Sequence, residues 1–172
     1  LDEKAEMDRI LGELSSGVSE IYHDLVNNQK LLLALDLINA KGRLSLDMDG
    51  CEPLISTDGE LKLRQAAHPL IDKKIVKPIN VALGGEYNTL VVTGPNTGGK
   101  TVTLKTAGLL SLMAQSGLHI PCSPGSKVPV YREVFADIGD EQSIEQSLST
   151  FSSHMANIVE ILDEADGDCL VL

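Results

Sequence analysis

Apolar residues recur at alternating intervals of four and three through the first part of the chain. The recurring positions are Met7, Leu11, Leu14, Val18, Ile21, Leu25, Asn28, Leu32 and Leu35. This heptad pattern predicts a long helix over residues 1–41 that packs along another long helix. Gly12 and Gly17 each weaken such a helix by roughly 1 kcal/mol relative to alanine, which favours a break near residues 15–17. Asn28 either sets the register or lies at a frayed contact, and we expect another chain, or another part of the protein, to cover the seam.

After residue 59 the pattern changes to short strands, and in the second half of the chain strands and helices alternate. Residues 42–59 are rich in Gly, Pro and Asp and are typical of a loop. We predict strands at 60–66, 79–83, 89–93, 130–138 and 169–172, and helices at 100–116 and 143–165. The apolar run at 89–93, TLVVT, is typical of the centre of a parallel sheet. The alternation predicts an α/β fold, with a mostly parallel sheet flanked by helices, after an N-terminal long helical segment.

Composition restricts the class of protein further. The chain of 172 residues is 42% hydrophobic and only 3% aromatic, so its core must be built from aliphatic side chains. We expect no membrane partner, because no apolar run approaches the ~20 residues that cross a bilayer. The charged start of the chain does not have the pattern of a secretory signal. Cys51, Cys122 and Cys169 are far apart in the sequence, which favours small core residues of a reduced, cytoplasmic protein over a disulfide or zinc framework.

Charge is distributed unevenly along this acidic chain, whose net charge is −11. Residues 94–132 contain four basic residues and no acidic ones, whereas residues 133–172 contain ten acidic residues and no Lys or Arg. An acidic chain is a poor candidate for gripping DNA phosphates by itself. A local basic region suits a small anionic ligand better, and the acidic stretch is typical of solvated helix faces.

The basic region opens on a motif that binds phosphate. Residues 94–101 read GPNTGGKT and fill every fixed position of G-x-x-x-x-G-K-[ST]. Glycines allow backbone N–H groups to approach phosphate oxygens, and the start of the following helix adds about half a positive charge. The predicted ATP-binding residues are Gly94, Pro95, Asn96, Thr97, Gly98, Gly99, Lys100 and Thr101.

Three residues of this loop carry the predicted chemistry. Lys100 is expected to bind the β and γ phosphates, and the Thr101 hydroxyl is expected to bind Mg²⁺ between them. Asn96 either contacts the γ-phosphate or the attacking water, or only forms the turn. We therefore predict Lys100 and Asn96 as catalytic residues, with ATP and Mg²⁺ as the cofactors.

A second polar cluster lies at residues 139–155, GDEQSIEQSLSTFSSHM, where five serines and one threonine precede or begin a predicted helix. One interpretation is a series of N-caps and a polar helix face. The other is a helix start that presents an anion-binding site to the phosphates of a neighbouring subunit. Spacing alone favours the first interpretation.

The wording of these segments resembles the ATPase domain of the MutS superfamily. The resemblance lies in TLVVTGPNTGGKTVTLKTAGLLSLMAQSGLHIP at 89–121 and in DIGDEQSIEQSLSTFSSHM at 137–155. The Asn96-Thr97 variant and STFSSHM favour the bacterial paralogue called the second MutS family, whose members typically end in a small MutS-related nuclease domain. LRQAAHPLI at 63–71 resembles the segment that opens the ATPase domain. The resemblance thus implies a long helix at 1–45 and the N-terminal portion of the ATPase domain at 46–172.

The resemblance implies a P-loop ATPase of the ABC type that works as a homodimer. Each nucleotide would lie between the loop of one subunit and the signature segment of the other, with Ser149 contacting the γ-phosphate in trans. The resemblance also favours Asn96 as a residue that contacts the γ-phosphate or the attacking water. Val76 falls near the position where relatives place an aromatic residue against adenine. Because valine is aliphatic, the resemblance does not establish that this residue stacks on the base.

The resemblance also implies what the longer protein does. Family members clamp branched DNA under the control of ATP and suppress homologous recombination, and action on stalled or collided ribosomes is a second family role. DNA and the ribosome would be bound through domains outside this chain.

The tag LDEAD near the end of the chain contains an acidic pair, Asp163-Glu164. In the family, the metal-site carboxylates follow a buried strand of four apolar residues. Residues 158–162 instead have helical spacing, so we expect Asp163 and Glu164 at the solvent-facing end of a helix and 169–172 as the buried strand. We therefore expect a chain cut before its metal-site carboxylates, which binds nucleotide weakly and hydrolyses little.

Two alternatives compete with an ATPase module. One is a nucleotide-gated dimerisation module without significant turnover, which shares the same site. The other is a small-molecule kinase, which would need a substrate lid and arginines after the loop. Beyond Arg64 the chain contains only Arg132, so the sequence disfavours the kinase.

Overall fold

The computed structural model describes residues 2–95, 98–138 and 147–172, with the backbone alone described at 147–151 and 153. Its elements in chain order are α1 (Asp2–Glu20), α2 (Tyr22–Met48), β1 (Leu54–Ser56), β2 (Leu61–Ala66), β3 (Ile79–Leu83), α3 (Lys100–Gln115), β4 (Lys127–Pro129), β5 (Glu133–Phe135), α4 (Ser147–Glu164) and β6 (Cys169–Val171). These elements form two compact units, Leu1–Arg43 and Leu44–Leu172.

The first unit consists of α1 and most of α2. The predicted helix is confirmed as helical, but it breaks at Ile21 and α2 continues to Met48. Gly12 and Gly17 both lie inside α1, so their low helix propensity does not decide where the break falls. The seam side chains remain exposed, for example Leu14 at 63% and Leu32 at 65%. Their coverage by a further helix stays a prediction.

Helix α2 ends where Asp49 adopts a left-handed conformation, with φ of +52°. Aspartate tolerates this region better than most residues, and a left-handed residue is a common way to end a helix. The backbone N–H of Gly50 then donates to the carbonyl of Ser45 at 2.8 Å. This turn directs the chain alongside Ile120, with which Cys51 exchanges two backbone hydrogen bonds of 2.9 and 3.0 Å.

The second unit is organised around a four-stranded sheet in the order β1-β4-β2-β3. Strands β1 and β4 are parallel, whereas β2 is antiparallel to both β3 and β4. The predicted alternation in β2 is confirmed, because Leu61 and Leu63 are both 1% exposed. The register shifts after Leu63, where Gln65 has φ of +47° and its N–H donates to Asn80 Oδ1 at 2.9 Å.

Helix α3 packs against this sheet and completes the hydrophobic core. The core consists of Leu61, Leu63, Ala66, Val81, Ala107, Leu110, Ala114, Ile120 and Val128. Two hydroxyl side chains of α3 are also buried, and each donates to the carbonyl four residues earlier. Thr106 bonds to Val102 at 2.6 Å and Ser111 bonds to Ala107 at 2.8 Å. These bonds satisfy polar groups that would otherwise destabilise a buried helix face.

Strands β5 and β6 form a separate, parallel two-stranded sheet. Arg132 connects α4 and the turn before β6 to this sheet through a hydrogen bond and an ion pair. Its guanidinium donates to the Glu164 carbonyl at 3.0 Å and pairs with the Asp166 carboxylate at 3.2 Å. The Cys169 thiol hydrogen bond, followed by the Asp168 backbone N–H and the charge of Arg132, lowers the pKa of Asp166.

The predicted mostly parallel sheet of a P-loop NTPase is wrong for this chain. The described part is a small α/β unit whose main sheet is mixed, with β2 antiparallel to both of its neighbours. The prediction assumed that helices connect neighbouring strands of the sheet. In the structure β2 pairs with β3, and the segment that connects them contains no helix. Without a crossover helix nothing requires these two strands to be parallel.

The predicted strand at 89–93 is also absent, because these residues form no ladder in the described structure. Leu90 is 47% exposed and Val91 is 76% exposed, so the apolar run is not buried. An apolar run shows that a segment can enter a sheet, but a strand also needs a neighbour with which to pair. The expectation of a strand over 130–138 is confirmed only for β5.

Helix α4 settles the position of the LDEAD tag. Asp163 and Glu164 lie in the last turn of α4 and are exposed, as predicted. The predicted strand that follows is β6. Among the described helices, none combines the length and apolar character needed to cross a membrane.

We predict that Gly84 and Gly85 differ sharply in their tolerance of alanine. Both have positive φ, at +93° and +71°. A Cβ at Gly84 would lie 2.5 Å from the backbone oxygen of Gly59, whereas a Cβ at Gly85 would meet nothing within 4 Å. Gly85→Ala should therefore cost about 1 kcal/mol of strain, and Gly84→Ala about 3 kcal/mol because backbone atoms must also move. Urea unfolding of the two variants measures the difference, and equal losses would contradict the proposed clash.

Candidate functional site

Two of the three glycines of loop 94–101 have conformations that other residues rarely adopt. Gly94 has φ of +148°, and Gly99 has φ of +80° with ψ of 17°. Nothing lies within 4 Å of a Cβ built at either position, so backbone conformation rather than space is the constraint. The N–H of Gly98 donates to the carbonyl of Pro95 at 2.9 Å and tightens the loop.

Gly99 is the residue from which α3 begins, and no side chain caps the helix there. The first N–H groups of a helix have no partner within the helix, and they carry the positive end of its dipole. The first turn of α3 contains no acidic residue. The start of α3 is therefore suited to an anion.

Lys100 lies in the first turn of α3 and reaches back over the loop. Its Nζ donates to the carbonyl of Gly94 at 2.6 Å. The fold thus brings the first glycine and the lysine of the motif into contact. Thr101, the predicted Mg²⁺ ligand, is half-buried in the same turn.

Part of the predicted site cannot be placed. Asn96 and Thr97 lie outside the described residues, and so does the Ser149 side chain, although the backbone of Ser149 belongs to α4. Their roles toward ATP and toward a second subunit stay predictions.

Val76, the predicted neighbour of adenine, lies in the turn before β3. Its N–H donates to the carbonyl of Asp72 at 2.9 Å, and its side chain is half-buried. This local contact positions the turn but does not connect it to the loop. The adenine role of Val76 stays a prediction.

A cavity of about 530 Å³ lies beside α3, between the two sheets. Its lining is mainly apolar and includes Leu61, Leu90, Leu104 and Leu170. No described residue of loop 94–101 lines it. Because it presents aliphatic side chains and no basic ones, this cavity is not suited to phosphate.

Among the described residues, no group of three His, Cys, Asp or Glu side chains could hold an ion. Mg²⁺ usually keeps several waters and takes its remaining ligands from substrate phosphates and one or two protein oxygens. Thr101 fits that limited role, and Lys100 would share the phosphate charge.

Sequence reasoning missed one polar pair near the end of β5. His154 Nδ1 and Asp137 Oδ1 are 2.7 Å apart, and the Asp137 side chain is 18% exposed. The backbone N–H of Asp137 also donates to the carbonyl of Leu172 at 2.8 Å. Asp137 therefore connects α4 to the end of β6. The residues are 17 apart in sequence, and no local pattern signals such a pair.

Comparison with known proteins shows what the chain is similar to. The family model described as MutS domain V matches residues 90–172. Endonuclease MutS2 of Clostridioides difficile (strain 630) is 57% identical over 172 residues, which is 100% of this chain and 22% of that protein. The chain is therefore similar to MutS-family proteins over its whole length. Two further proteins named Endonuclease MutS2 agree: that of Acetivibrio thermocellus is 55% identical over 100% of this chain, and that of Lactiplantibacillus plantarum is 56% identical over 99%.

The resemblance to the MutS superfamily, and to its second bacterial family, is thereby confirmed. The match to MutS domain V includes α3, β5, α4 and β6, together with the loop that precedes α3. The chain spans about a fifth, 22%, of the length of the curated relatives named above.

We predict that the Asp137–His154 pair contributes to the stability of the second unit. A double-mutant cycle with Asp137→Asn and His154→Gln should give a coupling of about 0.5–1.5 kcal/mol, because both groups are partly buried and lie within hydrogen-bond distance. Urea unfolding supplies the four free energies. Asp163→Asn, at the exposed end of α4, serves as the control and should change stability by less than about 0.5 kcal/mol. A coupling near zero would show that the pair is only an exposed contact.

Proposed function

We propose that this chain is a nucleotide-binding module of a MutS-family protein and that loop 94–101 binds the β and γ phosphates of ATP. The observation that carries the proposal is the position of Lys100. It lies at the start of α3, and its ammonium group donates to the carbonyl of Gly94. In that position a full positive charge and the partial charge of the helix start act on the same small volume.

Four described residues of the loop have a role in this proposal. Gly94 and Gly99 hold the backbone in conformations that turn N–H groups toward a phosphate. Lys100 exchanges its hydrogen bond to the Gly94 carbonyl for phosphate oxygens, which are stronger acceptors because they are charged. Thr101 offers its hydroxyl to Mg²⁺, which neutralises phosphate charge when it is bound.

We further propose that Asn96 contacts the γ-phosphate or the attacking water, and that Val76 lies on the adenine side. Neither Asp163 nor Glu164 is assigned to water activation, because both lie at the exposed end of α4. We therefore expect this chain to bind nucleotide with little turnover, and the longer protein to hydrolyse ATP.

For the longer protein we propose the activities that the family resemblance implies. It would form a homodimer with composite ATP sites, clamp branched DNA, suppress homologous recombination and act on stalled ribosomes, with DNA and ribosome bound outside this chain. The name of these relatives, Endonuclease MutS2, supports a nuclease activity in the longer protein. The cytoplasm is the compartment in which these partners occur together in bacteria.

Nucleotide binding can be tested with two lysine variants. Lys100→Ala should weaken binding of a fluorescent ATP analogue about 10- to 100-fold, the loss expected for charge-assisted hydrogen bonds. Lys105→Ala is the matched control, since Lys105 is exposed further along α3 and its removal changes the net charge equally. Titration in Mg²⁺ buffer gives both dissociation constants. Equal losses would indicate general attraction, and unchanged binding by Lys100→Ala would refute the assignment of the loop.

Nucleotide-gated assembly without turnover is the second candidate function. It is favoured by apolar side chains on one face of α4, where Met155, Val159 and Leu162 are 44%, 55% and 75% exposed. Such a row is more typical of an interface than of a solvated helix.

We predict that ATP binding promotes dimerisation if this second function holds. Sedimentation of the chain with a non-hydrolysable ATP analogue should show a dimer, and Ser149→Ala should weaken it if Ser149 contacts the γ-phosphate of the partner. Ser152→Ala, three residues along α4, provides the control. A monomer in saturating nucleotide would exclude assembly by this chain, and steady ATP hydrolysis lost in Lys100→Ala would favour the enzyme.

A further inference from the structure

Two of the three cysteines meet in the second unit, although they are 71 residues apart in sequence. The Sγ atoms of Cys51 and Cys122 are 3.4 Å apart, and the Cys51 thiol also lies 3.1 Å from the carbonyl of Cys122. Both thiols are free and half-buried. The interpretation of all three cysteines as separate core residues is therefore incomplete.

Backbone hydrogen bonds hold the two segments together. Cys51 and Ile120 exchange two N–H···O bonds, and Ile120 is fully buried. Beside them, Ser45 Oγ lies 2.7 Å from His119 Nδ1. A Cβ at Gly50 would come within 3.2 Å of His119 Cβ, so the chains approach closely here. The thiols thus face each other because of the fold around them.

Burial favours the neutral form of one of these thiols. As the largest cause, it raises the pKa of Cys122 to about 11. Cys122 is therefore a neutral thiol near pH 7 and a poor nucleophile by itself. We therefore assign the first attack to Cys51, which follows the turn at the end of α2.

We propose that Cys51 and Cys122 form a reversible dithiol–disulfide site that is oxidised by a low-molecular-weight disulfide such as glutathione disulfide. The Cys51 thiolate attacks one sulfur of that disulfide and releases one glutathione thiolate. Cys122 then loses its proton, and its sulfur attacks the Cys51 sulfur of the mixed disulfide and releases the second glutathione thiolate. The two protein thiols lose two electrons and two protons, and the two glutathione thiolates take up the protons as free glutathione.

The new bond would join the end of α2 to the segment after α3. The loop that it closes contains β1, β2 and β3, the phosphate-binding loop and α3. A cross-link over so long a segment restricts the unfolded chain strongly. Oxidation should therefore stabilise the part of the unit that holds Lys100.

The experiment uses the whole chain in glutathione buffers that range from fully reduced to fully oxidised. We expect oxidation to remove two hydrogen atoms by intact mass, to yield a 51–122 linked peptide after digestion, and to be reversed by dithiothreitol. The Tm should rise by on the order of 10 °C on oxidation. Cys51→Ser and Cys122→Ser should each abolish the linked peptide and the rise in Tm.

Cys169→Ser is the matched control, because the Cys169 thiol lies in β6 beside Asp166 and should not participate. This variant should oxidise as the original chain does. The proposal is overturned if no 51–122 peptide forms in oxidised buffer, if the cross-link includes Cys169, or if oxidation joins only separate chains. Peptide mapping of the unsubstituted chain decides the matter even if a serine variant does not fold.

Discussion

The packing of α3 against the four-stranded sheet is the contact on which the rest of the second unit depends. Ala107, Leu110 and Ala114 of α3 cover Leu61 and Leu63 of β2, and all five are nearly inaccessible to water. Burying a leucine such as Leu110 contributes roughly 1.5–3 kcal/mol. Because α3 begins at Lys100, at the end of loop 94–101, the same packing fixes the position of Lys100.

The candidate site therefore rests on a rigid helix and a conformationally special loop. Small alanine side chains let α3 approach the sheet closely, and the glycines before it allow the chain to reverse without strain. Lys100 and Lys105 lie on α3 itself, and residues 94–132 contain no acidic residue, whereas residues 133–172 contain ten. This separation of charge leaves the start of α3 electropositive within an acidic chain.

The second sheet is held by polar contacts more than by a large apolar core. In β5 and β6 the buried apolar residue is Leu170, at 3% exposure. Arg132 and Asp137 each connect this sheet to α4 through hydrogen bonds. Contacts of this kind are weaker than core packing and exchange more easily with water. Movements of α4 should therefore cost less than movements of α3, which suits an element proposed to face a second subunit.

The sequence by itself determined the glycine-rich motif at 94–101, the helix after it, the alternation of β2 and the helical position of Asp163 and Glu164. Each of these depends on neighbouring residues, since glycine conformation, a helix start and a two-residue period are local properties. Only the tertiary structure decided the mixed sheet, the unpaired state of 89–93, the Asp137–His154 pair and the meeting of Cys51 with Cys122. Strand direction and contacts between distant residues depend on which segments meet in space, and the periodicity of a single segment does not contain that information.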